Sequence, residues 1–249
     1  MQKDIPDDPY SPTCRFETLR VFCSIAAQFS LKISDYDVQN AYLQSDCRDE
    51  IYVRPAPGQA QDVDGRKFAY RLNKSLYGAK RSGKFWNDEL HGTLISLGLK
   101  QSEHDRCLYF LHTETSCLLF LVFVDDILVA HSERDEAVFQ QVMQGLFDKY
   151  SMRQVDLTKN RFLGIRITQS LEEGYVFLDQ EQYAREILDT FNLSEGRIFK
   201  VPSNGSLLPL YDCDQGLSFP YRSCLGSIRY LVTCTRPDLG HLLELTGEA

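Results

Sequence analysis

Cys117-Leu118-Leu119-Phe120-Leu121-Val122-Phe123-Val124-Asp125-Asp126-Ile127-Leu128-Val129-Ala130 sets two adjacent carboxylates inside an otherwise apolar run. Leu118 to Val124 on one side and Ile127 to Ala130 on the other read as two buried strands, with the polar pair at the bend of a β-hairpin. The run is too short for a bilayer, which needs about 20 apolar residues, and its centre is charged, so it is not a transmembrane helix. Two readings of the pair stand side by side. Asp is a common turn residue for backbone reasons alone. Two carboxylates at the tip of a dry scaffold are also costly to desolvate, and they ask for a metal ion or a basic partner.

With 249 residues, 43% of them hydrophobic, the chain can bury one large core or two smaller ones, which excludes the disordered and fibrous classes. No apolar segment follows the charged, Pro-containing start Met1-Gln2-Lys3-Asp4-Ile5-Pro6, so no secretory signal is visible and an intracellular location is expected. The cysteines are scattered, with no Cys-x-x-Cys pair, and the sequence-near group His104, Cys107, His112 and Cys117 matches no zinc spacing. A net charge of −8 argues on the sum alone against nucleic acid. Its distribution argues the other way: Arg66, Lys67, Arg71, Lys74, Lys80, Arg81 and Lys84 occur with no acidic residue among them, interleaved with Phe68, Tyr70 and Tyr77. That is either a surface for a phosphate backbone with aromatic platforms, or a solvated basic face.

Around the hairpin, strand and helix patterns alternate irregularly. Arg15 to Gln28 carries Leu19, Phe22, Cys23 and Ala26 at helical spacing after the turn-like Ser11-Pro12. Leu31 to Val38 is extended, and Ile51 to Arg54 is a second β-rich piece stopped by Pro55. Residues 55 to 66 read as a loop and Phe68 to Leu72 as a strand. Trp86, Leu90, Leu94 and Leu97 define the buried face of a helix that Gly98 ends, which makes Trp86 core rather than a stacking platform. Cys107 to Leu111 is a further strand, and Val138, Val142, Leu146 and Tyr150 mark a helix. Arg161 to Thr168 and Gly174 to Leu178 form a second hairpin, followed by a helix from Glu181 to Phe191. Residues 200 to 220, rich in Ser, Pro, Gly and Asp, form the expected boundary before a short helix from Tyr221 to Val232. The pattern predicts an α+β fold with a mostly antiparallel sheet and helices on one face.

A metal role for Asp125 and Asp126 requires another carboxylate from a neighbouring strand. Asp37, at the end of the extended segment and two residues after Asp35, is the best candidate. Three carboxylates from two sequence-distant strand ends can hold two Mg²⁺ ions, with water and phosphate oxygens in the remaining positions. Such a site suits nucleotidyl transfer, and the carboxylates alone equally permit a two-metal nuclease.

Several pieces then occur in a fixed order. They are Arg15-Phe16-Glu17-Thr18-Leu19-Arg20, Asp37-Val38-Gln39-Asn40-Ala41-Tyr42-Leu43, Lys74-Ser75-Leu76-Tyr77-Gly78, Phe123-Val124-Asp125-Asp126, Phe162-Leu163-Gly164-Ile165, Tyr221-Arg222-Ser223, Gly226-Ser227 and Thr235-Arg236-Pro237-Asp238-Leu239. In these the chain resembles the reverse transcriptase of Ty1/copia-type retrotransposons, a nucleotidyltransferase domain of a Pol polyprotein. Each piece is weak alone, whereas the order and spacing of the set are specific.

The resemblance implies a right-hand polymerase, with partial fingers and palm over 1-168 and thumb and the start of the connection over 169-249. It implies that Asp37 and Asp125 each ligate two Mg²⁺ ions, for which Mn²⁺ can substitute, with Asp126 in support, and that a primer 3′-hydroxyl attacks the α-phosphate of a deoxynucleoside triphosphate. Tyr42 falls where these polymerases place a ring beneath the sugar, excluding a 2′-hydroxyl. Phe162, Leu163 and Gly164 fall on the primer grip, Lys80 on the primer or template side, and Arg81 near the nucleotide, with Lys159 or Arg161 as further candidates for the triphosphate. The implied partners are an RNA or DNA template with its primer, deoxynucleoside triphosphates, and the integrase and ribonuclease H domains of the same polyprotein, with no membrane. The implied location is cytoplasmic, in virus-like particles, and nuclear.

The chain departs from the family at Tyr77-Gly78-Ala79-Lys80-Arg81, where Gln normally stands in the place of Arg81. Arg has no acceptor and cannot reproduce the hydrogen bonds of an amide. The family's upstream basic fingers segment and downstream ribonuclease H are not in this sequence, and Gly240 to Ala249 departs from the family continuation. The expectation is therefore a piece of a longer polyprotein, either a working polymerase domain or a catalytically inactive remnant that binds nucleic acid or a partner.

Overall fold

The apolar arms on either side of Asp125-Asp126 pair as strands at the heart of an antiparallel sheet in the computed structural model, which describes residues 9–59, 62–63, 66–113, 116–196, 198, 201 and 219–247. The chain begins with helix α1 (Phe16–Gln28), which buries Leu19, Phe22, Cys23 and Ala26, the i, i+3, i+4, i+7 stripe of its sequence. A residue far along the chain caps it. Asp105 accepts the Arg15 N–H at 3.3 Å and the Thr18 hydroxyl at 2.5 Å on one oxygen, and the Cys107 N–H at 2.8 Å on the other.

Strand β1 (Lys32–Val38) leads into a single helical turn, α2 (Ala41–Gln44). Two short ladders follow, β2 (Tyr52–Val53) with β5 (Tyr70–Arg71), and β3 (Asp62–Val63) with β4 (Arg66–Lys67). The predicted loop over residues 55 to 66 thus contains the start of a hairpin. Helix α3 (Ser82–Ser96) ends as expected at Gly98, whose φ of +92° lets the Gly98 N–H bond Ile95 O at 3.0 Å and the Leu99 N–H bond Leu94 O at 3.1 Å, a Schellman cap.

Strands β6 (Lys100–Gln101), β7 (Leu108–His112), β8 (Cys117–Phe123) and β9 (Asp126–His131) precede helix α4 (Glu136–Lys149) and strand β10 (Met152–Val155). The resulting sheet has the order β10-β1-β9-β8-β7-β6, every pair antiparallel. The short strands β6 and β10 at its edges carry no clear alternation, and the sequence reading missed both.

Alternation sorts the strand residues between two faces. Tyr36, Val38, Phe120, Val122, Ile127 and Val129 pack with Trp86, Leu90 and Leu94 of α3 and Phe139, Val142 and Leu146 of α4. The alternate residues Leu119, Leu121, Leu128 and Ala130 are buried as well, and α1 crosses β8 and β9 on that side. Helices therefore cover both faces, which corrects the expectation of one. The physical reason lies in the hairpin arms themselves: strands apolar at consecutive positions must be covered twice. Where β10 does not reach β1, Gln169 takes its place, donating to Leu31 O at 2.6 Å and accepting the Ile33 N–H at 2.9 Å.

Beyond the sheet come β11 (Arg166–Ser170), β12 (Tyr175–Asp179), α5 (Glu181–Thr190), α6 (Tyr221–Cys234) and α7 (Gly240–Gly247). The chain divides into two units, Met1–Leu157 with Gln169–Val176, and Thr158–Thr168 with Phe177–Ala249. Ile187 and Phe191 of α5 pack on Cys224 and Leu231 of α6 to form the core of the second unit. Except for Val201, Phe219 and Pro220, the boundary expected over residues 200 to 220 lies outside the described residues. No helix among the described residues is long and apolar enough to cross a membrane.

Candidate active site

Strands β1 and β9 are neighbours, and their register sets Asp37 directly opposite Asp126 and Asp35 opposite Leu128. Asp126 in turn pairs with Phe123 across the hairpin, so Val124-Asp125 is a two-residue turn. Val124 has φ +55°, the positive first position of a type II′ turn, which Gly normally fills. A β-branched residue held there costs about 1–3 kcal/mol and persists only if its surroundings over-determine it. Three contacts do so. The buried Trp86 indole N–H donates to Val124 O at 2.6 Å, Val38 N–H donates to Asp125 O at 2.8 Å, and the Val124 side chain packs on the main core. Trp86 is core, as its helical spacing predicts, and it also fixes the carbonyl at the turn that carries the aspartates. Nothing local in the sequence signals that bond.

The carboxylates crowd one another. Asp126 is pushed up to about 7, first by burial and then by the charges of Asp125, Asp35 and Asp37. Asp35 is buried on β1 two residues before Asp37. Asp37 accepts a hydrogen bond from Arg153 Nε at 3.0 Å, and the β1–β10 register sets these two residues opposite each other. The missed strand β10 thus supplies the cation that faces Asp37. A set of hard carboxylate oxygens crowded about Asp126 suits a divalent cation. Among the described residues, however, no three His, Cys, Asp or Glu already lie in an arrangement that would hold a metal ion. A cavity of about 930 Å³ is lined by Lys32, Cys117 and Asp135, at the end of the sheet opposite the aspartates.

Beside the carboxylates lies an aromatic pair. The main chain after α2 is tied to the segment before α3 by Cys47 N–H to Asn73 O at 2.9 Å and Ser75 N–H to Ser45 O at 3.0 Å. This pairing brings Tyr42 and Tyr77 together, with ring centroids 4.4 Å apart and planes at 35°. Both phenols are shifted upward, by burial first and by the charge of Asp125 second.

Three of the cations of residues 66 to 84 are paired with acids. Lys74 pairs with Asp46 at 2.7 Å, Lys84 with Asp88 at 3.6 Å and Arg81 with Asp49 at 2.9 Å. Acids from outside the run thus pair with three of its seven cations, which no local reading of the run could register. The Arg81 pair is largely buried, at 14% and 9% side-chain exposure, and the guanidinium also lies 4.9 Å over the Phe85 ring. Arg81, expected near the nucleotide, is committed to these partners. Lys80 is exposed.

Phe162, Leu163 and Gly164 belong to the second unit. The hairpin strand expected from Arg161 begins only at Arg166, because Phe162–Ile165 closes its own tight turn. Leu163 and Gly164 have φ +52° and +72°, the type I′ pattern, and Ile165 N–H bonds Phe162 O at 2.9 Å. Phe162 is buried, so this turn offers main chain rather than that ring. Tyr230 of α6 donates its hydroxyl to Leu163 O, a brace from 67 residues away.

An antiparallel sheet whose central hairpin turns at Asp125-Asp126, with Asp37 at the adjoining strand end, is what the geometry defines before any comparison. The family model described as reverse transcriptase (RNA-dependent DNA polymerase) matches residues 2–204, and the chain belongs to that family. It is 29% identical over 251 residues to the Retrovirus-related Pol polyprotein from transposon TNT 1-94 of Nicotiana tabacum, covering 97% of this chain and 18% of the relative. To the corresponding polyprotein from transposon RE2 of Arabidopsis thaliana it is 30% identical over 244 residues, covering 95% and 16%. A Ty5-1 transposon protein of Saccharomyces cerevisiae is 29% identical over 213 residues, covering 84% and 67%. The chain therefore spans less than a fifth of the length of the two plant polyproteins.

Proposed function

We propose that this chain is the polymerase centre of a copia-type Pol polyprotein and extends a primer by RNA-directed DNA synthesis. The observation that carries the proposal is the register of β1 and β9, which sets Asp37 opposite Asp126 with Asp125 at the adjoining turn. In this reading the sheet is the palm, the segments around β2–β5 belong to the fingers, and the second unit supplies thumb and primer grip.

Asp37 and Asp125 would hold divalent metal, Mg²⁺ by its preference for hard oxygens, with Asp126 in support. The chemistry such ions would supply when bound is a lowered pKa at a primer 3′-hydroxyl and neutralised charge on the leaving pyrophosphate. The chain's own residues do the rest. The Trp86 and Val38 bonds hold the turn so that the Asp125 carboxylate is presented without reorganisation. Arg153 donates to Asp37 Oδ2 and balances part of the site's negative charge. Tyr42 forms the wall against which a deoxyribose rests, and the Leu163-Gly164 main chain holds the primer end. Template, primer and deoxynucleoside triphosphates are the substrates, and the integrase and ribonuclease H domains are the covalent partners of the longer polyprotein.

Primer extension on an RNA template by the 249-residue chain tests the proposal. Extension is expected with Mg²⁺ and lost on chelation or in Asp125→Asn. Undiminished extension by Asp125→Asn would overturn it. The Arg153–Asp37 pair and the absence of a ready ligand cluster among the described residues favour a second reading, a non-catalytic remnant that binds duplex. Tight duplex binding without extension is its signature. Shortening of labelled duplex without nucleotides would instead mark a nuclease.

A further inference from the structure

The aromatic pair carries a consequence for substrate choice. Leu76 to Ala79 form a β-turn closed by Ala79 N–H to Leu76 O at 3.1 Å, with Gly78 at φ +90° in its third position, a type II turn that sets Tyr77 at the second. Ser82 pins this turn to the start of α3 through its hydroxyl, which donates to Leu76 O at 2.7 Å and accepts the Leu76 N–H at 3.1 Å. Tyr77 is thus held by backbone constraint rather than by burial, since 49% of it is exposed. Its ring lies on Tyr42 at 4.4 Å, and both phenols feel the charge of Asp125.

Tyr42 sits in a helical turn of only four residues, preceded by Asn40 at φ +51° and with no side-chain cap. Such a turn is a weak support for a ring that must exclude a single hydroxyl group. A wall that discriminates between sugars must be placed within a fraction of an ångström. We propose that Tyr77 is a positioning residue for Tyr42, and that discrimination between deoxyribonucleotides and ribonucleotides depends on the tilted aromatic pair rather than on Tyr42 alone. The proposal rests on the polymerase reading above. The recognised chemistry is the 2′ position of an incoming nucleoside triphosphate.

The test compares kcat/KM for deoxynucleoside and ribonucleoside triphosphates in primer extension by the full chain. Tyr77→Ala is expected to lower the deoxy-to-ribo ratio by about two- to tenfold, the worth of one aromatic contact, chiefly by improving use of ribonucleotides. Tyr77→Phe keeps the ring and should retain the ratio within about twofold of wild type. In a Tyr42→Ala background the further change Tyr77→Ala should not move the ratio, because the ring it positions is gone. A purely structural Tyr77 would change the efficiency for both sugars alike and leave their ratio intact, which would overturn the proposal. So would an additive effect in the double variant. No extension by the wild-type chain with deoxynucleotides would overturn the polymerase reading and this inference together, whereas extension with an unchanged ratio in Tyr77→Ala would overturn only the inference.

Discussion

Replacing Arg81 by Gln, the residue that the family resemblance implies at this place, should destabilise this chain rather than improve it. Arg81 and Asp49 form a 2.9 Å ion pair at 14% and 9% exposure. The other Asp49 oxygen is buried without a protein donor, so the carboxylate leans on this one guanidinium. The substitution removes a charge-assisted hydrogen bond of about 1.5–3 kcal/mol and a cation–π contact over Phe85 of about 0.5–1 kcal/mol. A Gln amide restores part of this as a neutral bond, and a net loss of about 1–3 kcal/mol remains. At about 2–4 °C per kcal/mol for a chain of this size, Tm falls by roughly 2–12 °C. Urea unfolding followed by circular dichroism of wild type, Arg81→Gln, Asp49→Asn and the double variant closes a cycle. The double variant should be more stable than the sum of the singles requires, by about 1.5–3 kcal/mol. An Arg81→Gln variant within 0.5 kcal/mol of wild type, or additive singles, would refute the reasoning. A raised KM for nucleotides at unchanged stability would return Arg81 to the nucleotide.

Asp126, pushed up to about 7 from an ordinary 3.8, binds more protons folded than unfolded between those values, so metal-free stability should fall as pH rises from about 4 to about 7. Unfolding in chelator should show that slope flattened in Asp126→Asn, and equal slopes would remove the carboxylate crowding. Trp86→Phe loses the 2.6 Å bond to Val124 O and part of a buried ring, costing about 2–3 kcal/mol, and should slow extension even where the chain is fully folded. A wild-type rate would mean that the turn does not need Trp86. Gly164→Ala puts a Cβ at φ +72° and 2.5 Å from the Tyr230 hydroxyl oxygen, for a loss of about 1–3 kcal/mol in thermal melts. Adding Tyr230→Phe should recover part of that loss, and no recovery would remove the clash as its cause.

The hairpin was legible because its evidence is local: two apolar arms broken by two carboxylates can close only at the break. Helices α1, α3 and α4 were legible from their apolar stripes, and the end of α3 from Gly98. The second hairpin was placed too early because Phe162 to Ile165, apolar enough to read as strand, turns within four residues, with Leu163 at a positive φ that its residue type does not announce. Strand β10 was missed because four half-exposed edge residues carry no period. With it went Arg153, the cation opposite Asp37.

By itself the sequence determined the central hairpin, the main helices, the candidate carboxylates and the family, because each depends on neighbours in the chain or on ordered motifs. The tertiary structure alone decided the partners. Asp37 meets Arg153 across 116 residues, Trp86 meets Val124 across 38, and Arg81 meets Asp49 across 32. Tyr77 comes to lie on Tyr42 through main-chain bonds between their flanking segments. Such pairs follow from strand register and from which face each helix covers, quantities set by the packing of the whole core and not by any local run of residues.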